Sequence, residues 1–310
     1  MRTTLAILTA ITLAGCSNDP TATDETEADI SSDLRPDGKG ALTAEAHSQK
    51  LAMQAVLPAA RPTKGNGISY HGGPVMTGTV DIYYIWYGSW GSNTATTILP
   101  DFISHLGGTS YEHINTTYYN GSGTHVSGAI SYKGAYTTSA YLGTSLSDAQ
   151  ILQVVSDALG GNHLPYDANA IYFVLTSKEV NASSGFCTQY CGWHTSGSTS
   201  KGKVRYAFVG NPDRCITSCA EQSTSPNGNA GADGMASIIA HESEEAISDP
   251  DINAWYDSRG EENADKCAWT FGTEKSASNG SKYNITLGSR NYLIQQNWVN
   301  ASGGYCAMSY

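Results

Sequence analysis

Residues 240–250, AHESEEAISDP, carry one histidine and three glutamates in five consecutive positions, directly after the apolar run MASII. His241 and Glu245 are four residues apart, so in a helix their side chains lie one turn apart on one face. H-E-x-x-H helices use this geometry to bind zinc, with the intervening glutamate as the general base. Here the second histidine is replaced by a carboxylate, which makes the motif less specific. The pattern predicts a metal site with His241 and Glu245 as ligands and Glu242 as the catalytic base.

A helix is predicted over residues 233–247, with Asp233 as its N-cap. It should end near Ile247, because Asp249 and Pro250 stop it. At about 100° per residue, His241, Glu242 and Glu245 fall on the strongly apolar side of this helix, whereas Glu244 points away from it.

Two unpaired carboxylates on a buried face would cost several kcal/mol each, so a positive group is expected to compensate them. A divalent metal is the simplest such group, and zinc is the first choice. The third ligand is sought in residues 254–269, which offer Asp257, Glu261, Glu262 and Asp265; we favour Glu262 or Asp265. An oxygen-rich set of this kind also suits calcium.

A non-metal interpretation of the same residues stays open. In it the glutamates form a capped, partly exposed acidic helix end, and His241 is hydrogen-bonded in the core. His194 is either a ligand, an acid/base group or a hydrogen-bonding loop residue, and His71 is expected to brace a turn. The sequence has no G-x-S-x-G or nucleotide-binding glycine motif, which disfavours serine hydrolases and nucleotide-dependent enzymes.

The N-terminus has the pattern of a bacterial lipoprotein signal. Arg2 precedes a short apolar run that is too short to span a bilayer, and LAGC at residues 13–16 is a cleavage site ending in Cys16. Cys16 is predicted to carry the lipid, which would anchor the protein to the membrane outside the cytoplasm. Ser17 is compatible with the outer membrane of a two-membrane bacterium.

Residues 17–65 are acidic and nearly free of aromatic residues, so we predict a disordered tether. Within it, residues 42–57 have the pattern of a short amphipathic helix. Residues 66–310 are predicted to form one globular domain. The net charge of −11, with 28 acidic against 17 basic residues, argues against nucleic acid as a partner.

Six cysteines remain after Cys16, and an even number in an exported chain favours disulfides. We predict the pairs Cys187–Cys191, Cys215–Cys219 and Cys267–Cys306, in which two local pairs leave the last to fasten the C-terminal segment. A four-thiolate zinc site built from the two C-x-x-x-C segments is the alternative.

Buried strands are predicted over residues 79–88, 169–177 and 203–210, because their apolar residues do not alternate with polar ones. Helices are predicted over residues 94–106 and 147–160, the second capped by Ser147. This order indicates an α/β or α+β domain in which helices pack on a central mixed sheet, with a zincin-like active-site helix.

Several segments together resemble the phosphate-induced protein 1 family, which includes the exordium proteins. They are YHGGPVMTGTVDIYYIWYG, YFVLTSKEV, GFCTQYCGWH, YAFVGNPDRCITSCA, GADGM and NYLIQQNW, in order over residues 69–298. The resemblance implies an extracytoplasmic protein with a role at the cell surface, and it supplies no reaction. The H-E-x-x-E segment is similar to a microbial subset of the family rather than to its plant members.

Two functions are consistent with these features. The first is a surface-anchored metallohydrolase, peptidase-like, acting on peptides or another envelope polymer. The second is a non-catalytic surface protein that binds carbohydrate or calcium.

Overall fold

A computed structural model describes residues 34–56 and 65–310, and these belong to one compact unit, Asp33–Tyr310. The predicted signal at residues 1–16, its lipidated Cys16, and residues 17–33 and 57–64 of the predicted tether lie outside the described residues. Among the helices of the described residues, none combines the length and the apolar character needed to cross a membrane.

A five-stranded mixed sheet forms the centre of the fold, and shorter strands form pairs around it. The sheet has the strand order β3-β2-β5-β8-β7; β3, β2, β5 and β8 are parallel, and β7 is antiparallel to β8. In chain order the strands are β1 (Ser69–Tyr70), β2 (Val80–Tyr87), β3 (Ile130–Thr138), β4 (Ser145–Leu146), β5 (Ala170–Thr176), β6 (Asn181–Ala182), β7 (Gly192–Thr199), β8 (Gly202–Gly210), β9 (Trp255–Tyr256), β10 (Lys275–Ser276), β11 (Lys282–Tyr283), β12 (Ile285–Leu287), β13 (Arg290–Tyr292), β14 (Asn297–Val299) and β15 (Tyr305–Ala307).

Helices cover both faces of the sheet. They are α1 (Ala44–Val56), α2 (Ala95–Leu106), α3 (Asp148–Gly160), α4 (Ile216–Cys219) and α5 (Ala230–Ser248), with 3₁₀ turns at Glu112–Thr117, Pro212–Arg214 and Asp265–Cys267. On β7, Gly192 faces Ile238 of α5, whereas Gly197 faces Leu152 of α3. The two glycines are five positions apart, so they lie on opposite faces of the strand, and each face contacts a helix. This confirms the predicted mixed sheet with packed helices.

Local sequence explains the elements that were predicted correctly. Strand β5 is buried at every position, as the uninterrupted apolar run at residues 169–177 indicated. Helix α3 begins with a complete capping box, in which Ser147 accepts from the Gln150 backbone and the Gln150 side chain accepts from the Ser147 backbone.

Two of the three predicted disulfide pairs are wrong. The bonds are Cys187–Cys215, Cys191–Cys219 and Cys267–Cys306, so only the last was predicted correctly. Cys215 and Cys219 are one helical turn apart, and their side chains face the segment that carries Cys187 and Cys191. The two C-x-x-x-C segments therefore cross-link to each other rather than close on themselves. The bonds fit an extracytoplasmic protein.

The predicted tether is ordered over residues 34–56. The helix predicted at residues 42–57 corresponds to α1, and the residues before it lie along the domain through backbone hydrogen bonds. His194 donates its backbone N–H to Gly38 (3.0 Å), and Cys191 donates to Ala41 (2.7 Å). Composition alone missed this docking, because the segment is held by its backbone groups and by polar side chains such as Arg35 and Lys39, and less by apolar side chains.

Candidate metal centre

Helix α5 has no face exposed to solvent, since every residue from Gly231 to Ser248 is buried. It packs against β7, β8, α2 and the 3₁₀ turn Glu112–Thr117. Gly192 allows the close approach of β7, because a Cβ atom there would lie 2.5 Å from Cγ2 of Ile238. A helix buried on all sides is normally apolar. The polar residues of α5 must therefore be compensated inside the protein.

His241, Glu245 and Asp265 form one cluster of side chains with metal-ligating atoms. Nε2 of His241 lies 3.0 Å from Oε1 of Glu245 and 3.5 Å from Oδ1 of Asp265. Within the described part of the chain, neither His241 Nε2 nor Asp265 Oδ1 makes a hydrogen bond of suitable geometry. The arrangement brings together three of the four ligands predicted from the sequence.

His194, Glu245 and Glu262 form a second such cluster. Nδ1 of His194 lies 3.2 Å from Oε2 of Glu242 and 3.5 Å from Oε2 of Glu245, and its Nε2 lies 3.6 Å from Oε1 of Glu262. The side chains of His194, Glu242, Glu245 and Glu262 are fully buried. Glu262 was predicted as an alternative to Asp265. It lies beside His194, and its cluster shares Glu245 with the cluster that contains Asp265.

The chain after α5 returns two carboxylates to the helix. Asp249 ends the helix, and its Oδ1 accepts the backbone N–H groups of Asn253 and Ala254, which turns the chain. The backbone N–H of Asp265 donates to Oε1 of Glu245 (3.0 Å), and the adjacent 3₁₀ turn is fastened by the Cys267–Cys306 bond. The disulfide-anchored return predicted from the sequence is therefore present.

Burial and charge both shift the pKa values in these clusters. Burial raises the pKa of Glu242 to about 7, and it also raises the pKa values of Glu262 and Asp265. Burial opposes ionisation of Glu245 as well, but the charges of His241 and His194 outweigh it and lower its pKa to about 2. Without a metal, the site is thus neutralised by protons on both imidazoles and on several carboxyl groups.

Residues 38–50 cover the clusters from the N-terminal side. Gly40 lies against the carboxylate of Asp265, where an added Cβ atom would be 1.6 Å from Oδ1. Lys50 of α1 lies close enough for the negative charges of Asp265, Glu261 and Glu245 to raise its pKa, although burial opposes this. Access to the clusters from this side requires movement of the N-terminal segment.

Glu244 is buried, contrary to the prediction that it points away from the core. Its Oε2 accepts a hydrogen bond from Nδ2 of Asn297 (2.7 Å), and its neighbour Glu112 is equally buried. Burial raises the pKa of Glu112 to about 8 and that of Glu244 well above its ordinary value. The side of α5 that carries Glu244 is covered by the Glu112–Thr117 turn and the C-terminal strands, which a helical projection does not show.

Other residues considered from the sequence have different roles. Asp257 pairs with Lys266 (2.9 Å), and Glu261 pairs with Lys50 (3.2 Å), so neither belongs to a cluster. The His71 ring stacks on Tyr256, with 3.6 Å between ring centroids. Asp233 is not the N-cap; Asn229 is, and Asp233 instead accepts hydrogen bonds from Ser225 and Asn227.

Comparison with known proteins identifies the family. The family model described as the phosphate-induced protein 1 conserved region matches residues 68–308. Protein EXORDIUM-like 3 of Arabidopsis thaliana is 30% identical, over 77% of this chain and 82% of its own length. Protein PHOSPHATE-INDUCED 1 of Nicotiana tabacum is 28% identical, over 61% of this chain and 67% of its own. No solved structure matches. The matched region contains α5 and both clusters, and the chain belongs to the phosphate-induced protein 1 family.

Proposed function

We propose that the protein is an exported, surface-anchored, metal-dependent hydrolase of the peptidase type. The observation that carries the proposal is the buried His241–Glu245–Asp265 cluster, whose His241 Nε2 and Asp265 Oδ1 have no hydrogen bond in the described part of the chain. Imidazole and carboxylate groups in this combination suit zinc, and a carboxylate-rich set also suits calcium. The zincin-like role of α5 and the membership of a microbial H-E-x-x-E subset are parts of this proposal.

Glu242 is the proposed general base. A bound divalent ion would lower the pKa of water, and Glu242 would accept the proton of the attacking water molecule. Oε1 of Glu242 has no hydrogen-bond partner among residues 34–56 and 65–310, so one oxygen is available for the proton.

A small surface pocket lies beside α5. The pocket has a cavity volume of about 20 Å³, and Trp269, Phe271, Leu293 and Gln295 are among its lining residues. Oε1 of Gln295 lies 3.3 Å from Nδ1 of His241, so the pocket is one side chain away from the proposed metal ligand.

The test compares hydrolysis of generic fluorogenic peptides by the wild type, Glu242→Gln and the control Glu274→Gln, which alters an exposed glutamate. We expect Glu242→Gln to keep its metal and to lose about 10²–10⁴-fold in rate. The control should behave like the wild type. Unchanged hydrolysis in Glu242→Gln would refute the role of this residue.

A non-catalytic binding protein is the second candidate, and the burial of all the ligand side chains favours it. Glu245 and Glu262 are fully buried, and residues 38–50 cover the site. In this case the metal would be structural. A preparation that holds metal, unfolds at lower temperature with chelator and hydrolyses no peptide would support this candidate over the first.

The membrane anchor at Cys16 is part of the same proposal, and it rests on the LAGC motif. Cys16→Ser should move the protein from the membrane fraction to the soluble fraction of the exporting cell. Mass spectrometry of the mature N-terminus should show a lipid on Cys16. A mature N-terminus elsewhere, without lipid, would argue for an ordinary secretory signal.

A further inference from the structure

The two carboxylate oxygens of Glu245 face two different imidazole rings. Oε1 lies 3.0 Å from Nε2 of His241, whereas Oε2 lies 3.5 Å from Nδ1 of His194. Each ring has its own additional carboxylate, which is Asp265 for His241 and Glu262 for His194. Glu245 therefore belongs to both sets of metal-ligating atoms.

Both rings are oriented by a hydrogen bond at Nδ1. Nδ1 of His241 lies 3.3 Å from Oε1 of Gln295, and Nδ1 of His194 lies 3.2 Å from Oε2 of Glu242. A proton on each Nδ1 leaves Nε2 with a lone pair, which is directed at Glu245 and Asp265 in His241 and at Glu262 in His194. Metal-binding histidines are commonly fixed by such a hydrogen bond to a carboxylate or carbonyl oxygen.

Unpartnered atoms occur in both sets. Within the described residues, two atoms of the first set have no hydrogen bond: His241 Nε2 and Asp265 Oδ1. In the second set the same holds for Glu245 Oε2 and for both carboxylate oxygens of Glu262. These side chains are buried, so no solvent compensates them. One ion in the first set would leave the oxygens of Glu262 uncompensated.

We propose that the protein binds two divalent transition-metal ions, one at His241 and Asp265 and one at His194 and Glu262, with Glu245 bridging them. The proposal rests on the metal site of the proposed function and adds a second ion to it. Paired ions of this kind activate water and stabilise negative charge in hydrolytic sites.

The first test is the metal content of protein purified without chelator, measured by plasma mass spectrometry. We expect two ions per chain in the wild type and in the control His163→Ala, which alters an exposed histidine. We expect one ion in His194→Ala and one in His241→Ala. If the wild type holds one ion per chain and His194→Ala still holds that ion, the proposal of a second ion is wrong, whereas the proposed function stands. No ion in a folded wild type would overturn both.

The second test needs no variant. The metal-free wild type is titrated with Mn²⁺ and followed by electron paramagnetic resonance. Two ions bridged by one carboxylate should give an exchange-coupled multiline spectrum as the second equivalent binds. A six-line spectrum of isolated Mn²⁺ that saturates at one equivalent would overturn the proposal.

Discussion

Nε2 of His241 lies 3.0 Å from Oε1 of Glu245, one turn further along a helix that has no exposed face. In an exposed helix such a pair would contribute little, because water screens both groups. In α5 the His241–Glu245 pair lies at the centre of a buried cluster in which carboxylates outnumber histidines. This imbalance is the physical reason for proposing bound metal.

Replacing Glu112 by glutamine should stabilise the protein at high pH. Burial raises the pKa of Glu112 to about 8, above its ordinary 4.5. The folded state therefore keeps a proton that the unfolded chain releases above about pH 4.5, so stability falls as the pH rises from about 4.5 to about 8 and levels off above it. Glu112→Gln removes this loss, so the free energy of unfolding should exceed that of the wild type by about 4 kcal/mol at pH 8.

The difference should be small at pH 4.5, where Glu112 is protonated in the folded protein. Urea unfolding followed by tryptophan fluorescence at both pH values measures it, with Glu274→Gln as control. An equal effect of Glu112→Gln at the two pH values would contradict the raised pKa.

Replacing one cysteine by serine should leave its disulfide partner with a free thiol. Cys187→Ser should leave a free thiol at Cys215, and Cys191→Ser should leave one at Cys219, because those are the bonded pairs. Alkylation followed by peptide mass spectrometry identifies the free cysteine. Loss of a bond between residues 28 positions apart should lower the free energy of unfolding by about 3 kcal/mol. Labelling of Cys191 in Cys187→Ser would show that the local pairing was correct.

Weakening the N-terminal cover should speed the loss of metal to a chelator. Gly40→Ala places a Cβ atom against Asp265, and such overpacking costs about 1–3 kcal/mol, which corresponds to about 5- to 150-fold in rate. Gly160→Ala is the matched control, since its Cβ atom meets nothing within 4 Å.

Arg35→Ala separates opening of the cover from distortion of Asp265. The Arg35 guanidinium donates to the carbonyl oxygens of Ile252 and Asp251, so the variant loosens the segment without touching a proposed ligand. It should also release metal faster than the wild type. Wild-type rates in both variants would show that residues 34–56 do not control access.

Strands and helices with a strong local pattern were predictable from sequence. The continuous apolar runs gave β2, β5 and β8 almost to the residue, and Ser147 was the correct cap of α3. The start of α5 was missed by one turn, because Asn229 and Asp233 are both good capping residues and only tertiary contacts distinguish them.

The role of His194 required the fold. The sequence places it beside a cysteine pair, which suggested a loop, but it lies on β7 and faces α5. The usable signal was Gly192, two residues earlier on the same face of the strand, where a helix must approach closely. The cysteine pairing failed for a similar reason, since sequence spacing says nothing about which segments become neighbours.

The measurement that tests the central claim most directly is anomalous X-ray scattering from crystals of protein purified without chelator. We expect a peak between His241 Nε2, Glu245 and Asp265 at the absorption edge of the bound metal. A well-ordered crystal with no peak there, in which His241 forms an ordinary hydrogen bond to Glu245, would contradict the claim that a metal neutralises this site.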